Sequence, residues 1–175
     1  DVLGKSFSSE KGTGNIMRDL ADLNIYGDKK EVIKIDIIKK FMYTPYESEK
    51  RMATSVLWNR ISKEFDVINI NKVVAMKIYL DDGLGKNIDY VRMMSCKSSS
   101  LFYSEMLNSH GIVYSSYRYA FLMSINLIRY SLHSRSLQFI STVNLNTIIL
   151  SLLLFAAPFS LYFYLQDIFK YLVRR

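Results

Sequence analysis

Apolar and polar positions follow several different periods along this chain, and the pattern changes character near residue 98. Residues 1–14 carry no apolar period and read as a flexible tail. Ile16, Leu20 and Leu23 follow at spacings of four and three, which predicts a short helix ended by Gly27-Asp28. Ile33, Ile35 and Ile37 then alternate with Lys34 and Asp36, the period of a half-buried strand; a helix over 29–42 is the alternative that Lys39-Lys40 leaves open. Thr44-Pro45-Tyr46-Glu47 has the chemistry of a helix start, with a hydroxyl to accept from the first amides, a proline at the first helical position and a carboxylate three residues on. A helix is predicted over 45–64. Its apolar positions are Met52, Val56, Leu57, Ile61 and Phe65, with Lys50, Asn59 and Lys63 toward water. Next come β-branched runs at 67–70 and 72–80, a loop holding Gly83 and Gly85, and a third run at 88–95, which together predict a β-hairpin.

Ser98-Ser99-Ser100 is the predicted hinge. Beyond it, 101–108 reads as a short helix and 112–133 as a longer one. At 100° per residue Ser115, Arg118, Asn126, Arg129 and His133 share one face of the longer helix, while Ala120, Phe121, Met123, Ile128 and Leu132 lie elsewhere. No charged side chain occurs between Arg135 and Asp167, and 147–165 is apolar enough to span a bilayer, whose core takes roughly 20 apolar residues. Pro158 inside that run should kink it.

The fold class expected is therefore an α+β soluble N-terminal domain, short helices plus a β-hairpin, followed by a C-terminal membrane-associated helical segment with one or two transmembrane helices. The expected organisation is a tail (1–14), a small α+β domain (15–97), a hinge with a basic amphipathic helix (98–135), a transmembrane helix (136–166) and a short basic tail (167–175). With two spans, Arg129–Arg135 would form the short outer loop. With one, the charges flanking the span give no orientation.

Charge sharpens this division. Residues 1–97 hold 17 Lys/Arg against 14 Asp/Glu and residues 98–175 hold 6 against 2, within a net charge of +7, so the positive excess is densest where charges are fewest. Such an excess suits phosphate headgroups better than nucleic acid, and no nucleic-acid partner is expected. Arg118, Arg129 and Arg135 are the candidate lipid or partner contacts. An arginine facing lipid at mid-bilayer is costly, so the helix bearing the first two should lie in the interface, pack on a partner or line water.

Candidate chemistry changes little. Tyr79-Leu80-Asp81-Asp82 looks like the Y-x-D-D hairpin of reverse transcriptases, where paired carboxylates hold divalent metal, but the likeness covers four residues and no third carboxylate accompanies it. An acidic turn before Gly83 accounts for it. Gly4-Lys5-Ser6 lacks the upstream glycine of a phosphate-binding loop, and Gly12-Thr13-Gly14 and Gly83-Leu84-Gly85 are turn glycines without dinucleotide-binding context. Cys96, His110 and His133 supply neither a disulfide, a structural zinc set nor a triad. Trp58 reads as core and Tyr162-Phe163-Tyr164 as an interfacial aromatic belt. No catalytic, cofactor or metal residue is expected.

These features imply a non-catalytic, membrane-anchored accessory subunit of a multi-protein membrane complex, bound to its other subunits and to anionic lipid headgroups. The alternative is a membrane-perturbing, pore-forming effector with a soluble sensor domain and a helical hairpin. Lys5-Ser6-Phe7-Ser8-Ser9 reads either as a frayed polar terminus or as the basic, Ser-rich surroundings of a mitochondrial presequence cleavage site, so the expected location is a mitochondrial or a bacterial inner membrane.

Overall fold

The computed structural model describes residues 6–7, 10–15, 29–49, 51–76, 87–109 and 116–172. These form a mostly helical molecule with a small two-stranded sheet and one long apolar helix near the C-terminus. The sheet pairs β1 (Lys11–Gly14) antiparallel with β2 (Val67–Ile70), Lys11 opposite Ile70 and Gly14 opposite Val67. Next along the chain are α1 (Ile35–Phe41) and α2 (Thr54–Ser62). The remaining helices are α3 (Ile88–Met94), α4 (Cys96–Leu107), α5 (Tyr117–Ser134), the single turn α6 (Gln138–Ser141) and α7 (Thr147–Asp167), which runs on into a π-helical turn at Ile168–Leu172.

Several expectations change. The predicted hairpin does not form as such: β2 pairs with β1, in what reads as tail, and the run at 88–95 is helical, with Asp89 and Arg92 facing each other one turn apart at 3.7 Å. The turn carrying Asp81 and Asp82 lies outside the described residues, as does the predicted helix over 16–23. Ile35–Phe41 is helical, the second of the two readings offered for that stretch. Thr44-Pro45 starts no helix, because α2 begins at Thr54 and the preceding stretch is held by tertiary contacts: the Tyr43 hydroxyl donates to the Ala53 carbonyl at 2.9 Å and the Tyr46 ring meets Phe139 edge-on. Ser98, Ser99 and Ser100 form no hinge. They are buried inside α4, whose first free amides, on Lys97 and Ser98, donate to the Glu49 carboxylate at 2.6 and 2.8 Å. A carboxylate 48 residues upstream thus caps this helix and favours its positive dipole end.

The long helices carry local stop and start signals. The Ser116 hydroxyl accepts from the Tyr119 amide to open α5. Arg135, in the left-handed region at φ 53°, closes it: its amide donates to Leu132 and that of Ser136 to Ser131, the paired bonds of a Schellman end. Asn146 caps α7 by accepting from the Ile149 amide at 2.9 Å. Inside, Met93, Tyr103, Met106, Leu107, Ala120, Met123, Leu127, Tyr130, Phe139, Val143, Ile149 and Leu153 form one apolar cluster. Residues on both sides of the expected boundary at 98 contribute to it, and Trp58 packs at its edge.

The packing of α5 on α7 fixes their relative direction. Phe121 meets Phe159 edge-on at 5.7 Å, and eight residues later in both helices Arg129 meets Asp167, so the two run the same way. Ala120 and Ser124 on one helix, and Ala156 and Ser160 on the other, are all fully buried, and each serine hydroxyl bonds the carbonyl four residues back. Small side chains at this spacing let two backbones approach closely. Residues 135–146 therefore return along the bundle to reach the start of α7.

Candidate functional site

With its π-helical continuation to Tyr171, α7 is the described helix long and apolar enough to cross a membrane. Its buried positions, Ile149, Leu153, Ala156, Ser160 and Asp167, repeat at three- and four-residue steps on the side facing the molecule. The opposite side is apolar as well. Leu150, Leu154, Phe155, Phe159, Leu161, Tyr162, Leu165 and Phe169 are exposed, Leu154 by 67% and Phe155 by 72%. A helix apolar on most faces but covered on one exposes the kind of contiguous apolar surface that marks contact sites.

At the C-terminal end of this helix sits a charged cluster. Arg129 grips Asp167 with Nε to Oδ2 at 2.6 Å and Nη2 to Oδ1 at 2.5 Å, while His133 Nε2 donates to Oδ2 at 3.0 Å. The carboxylate side chain is only 4% exposed. Arg129 and His133 stand one turn apart on α5, which lets both reach one carboxylate. The guanidinium also lies over the Tyr130 and Phe163 rings, and the imidazole packs edge-on against Tyr164 at 4.7 Å. Two parallel hydrogen bonds from a planar fork are the strong form of this pairing, and the third donor uses the remaining acceptor capacity. An aspartate holding an imidazole is also the orienting half of a hydrolytic triad, but no described hydroxyl or thiol bonds His133. The geometry supplies a neutralised clasp between α5 and α7.

The three arginines singled out from sequence thus have different fates. Arg129 is engaged within the chain. Arg118 is exposed at the start of α5, one turn before Phe121, and Arg135 is exposed at the helix end. Asp167 is the residue that sequence reasoning missed. The available signal was arithmetic: residues 98–175 contain only Glu105 and Asp167 as acids, so an ion-paired Arg129 has few candidate partners in this half. Glu105 is taken as well, since one of its oxygens accepts from Arg60 Nε and Nη2 at 2.9 and 2.6 Å.

Elsewhere, Cys96 is half-buried, and burial first, then the Glu49 carboxylate, push its thiol above the ordinary cysteine range. Among the described residues no group of three His, Cys, Asp or Glu side chains could hold a metal. No protein-family model, curated protein or solved structure matches this chain.

Proposed function

We propose that the chain is a non-catalytic accessory subunit of a multi-protein membrane complex, with α7 as its membrane anchor and the helical body as the surface that meets other subunits. The observation that carries this reading is the exposed apolar side of α7, which runs from Leu150 to Phe169 and is large enough to meet lipid. A mitochondrial or bacterial inner membrane is the setting proposed, on the basic excess of the C-terminal half and the Ser-rich basic stretch near residue 5. The pore-forming alternative is the weaker one, because a membrane hairpin needs consecutive helices in opposite directions and α5 and α7 run the same way.

The test is fractionation followed by native electrophoresis in mild detergent. The protein should sediment with membranes after a high-salt wash and migrate well above its own 20.4 kDa once solubilised. Recovery in the soluble fraction would overturn the anchor, and migration as a lone monomer would overturn the subunit assignment.

A further inference from the structure

We infer that α7 binds the bilayer lying in its plane, with its outer face sunk into the headgroup and acyl boundary of an anionic leaflet, rather than crossing it. This inference rests on the membrane-anchor reading above and specifies the geometry of that anchor.

Three observations point this way. A crossing α7 with the fold intact would carry α5 into the hydrocarbon beside it, because the two helices pack side by side. The return segment 135–146 would then cross as well, and its non-helical residues Leu137, Thr142, Asn144 and Leu145 are exposed, two of them polar, an irregular segment that lipid disfavours. Arg118 is exposed too, and by the common offset of 38 residues it stands level with the middle of α7, where a lipid-facing arginine is strongly disfavoured.

Crossing by peeling α7 away from α5 meets a different obstacle. It separates Asp167 from Arg129 and His133 and bares Ala156, Ser160 and Leu153, all now buried. Lying in the plane disturbs none of these contacts. The helix keeps its inner face on the body and immerses Leu150, Leu154, Phe155, Phe159, Leu161, Leu165 and Phe169, the arrangement of an interfacial helix.

Charge identifies the leaflet. Both acids of residues 98–175 are consumed in internal ion pairs, with Arg60 and with Arg129, whereas Arg118, Arg135 and Lys170 are exposed. Arg118, Arg135 and Lys170 thus present exposed cations along α5 and just beyond α7, and anionic lipid phosphates complement them, although Asp89 of α3, itself half-exposed, lies near enough to Lys170 to act on it.

The experiment uses the full chain mixed with sealed vesicles of phosphatidylcholine and phosphatidylglycerol. In a Cys96→Ser background, Asn144→Cys and Lys170→Cys place a thiol beyond each end of α7, and a membrane-impermeant maleimide is added outside. Both positions should be labelled fully in intact vesicles. Labelling of one with protection of the other until detergent is added would mean that α7 crosses and would overturn the inference. Failure to float with the vesicles at all would instead sink the membrane-anchor reading. Arg118→Gln and Arg135→Gln should each weaken flotation by about fivefold, from roughly 1 kcal/mol per basic residue near an anionic surface. An unchanged affinity for anionic vesicles in the folded double variant would also overturn the inference, by removing the charge assignment.

Discussion

Asp167 is the single side chain on which the α5–α7 contact depends most. Replacing it with Asn leaves the Arg129 guanidinium in a largely apolar interface without a counter-charge, and breaking one side of such a pair typically costs about 3–5 kcal/mol. Asp167→Asn should lower the denaturation midpoint sharply, whereas the double change Arg129→Met, Asp167→Leu should recover much of the loss, because a matched apolar pair carries no desolvation penalty. Equal destabilisation of single and double variants would show that the hydrogen bonds themselves, rather than charge balance, hold the clasp. Arg135 makes the opposite case. Its left-handed backbone disfavours any residue with a Cβ, so Arg135→Gly should raise stability by about 0.5–1 kcal/mol in a chemical denaturation curve.

At the level of elements, α4 shows how tertiary contacts displace local signals. Ser98-Ser99-Ser100 reads as a break because serine competes for backbone bonds, but Glu49 supplies the missing cap from a distant segment, and no periodicity could reveal that. Thr44-Pro45 lost its role as a helix start when Tyr43 and Tyr46 were drawn into packing. The hairpin was misread because β-branched residues at 88–95 suit either state, and the charged pair Asp89–Arg92 fits a helical turn. By contrast the existence and C-terminal ends of α5 and α7 were legible, since long periodic or uniformly apolar runs need no partner to be recognised, while their starts were not: α5 opens at Tyr117 rather than 112 and α7 at Thr147 rather than 136. Of the clasp, Arg129 and His133 were visible as one face and Asp167 was not, because its partner lies 38 residues away. Glu49→Gln tests the cap. Removing the charge should both loosen the start of α4 and let the Cys96 thiol fall back toward its usual range, so alkylation by iodoacetamide near pH 8 should accelerate severalfold. An unchanged rate would assign the raised thiol to burial alone.

Across the whole molecule, α7 carries two chemically similar faces with different duties, and composition cannot tell them apart. The inner face is spent on packing: Ala156 is fully buried, so Ala156→Leu should overpack the core and cost about 1–3 kcal/mol. The outer face contributes little to the fold. Leu154→Gln and Phe155→Gln replace side chains that are already mostly solvated in the isolated chain, so the thermal midpoint in detergent-free buffer should move by less than about 0.5 kcal/mol equivalent. Solubility should rise and recovery with membranes should fall. Paired measurements of both sets therefore separate folding from anchoring: inner-face variants lose stability, and outer-face variants lose only the membrane. If the outer-face variants unfolded instead, these residues would belong to a protein core completed by another chain, and α7 would be a subunit contact rather than a lipid anchor.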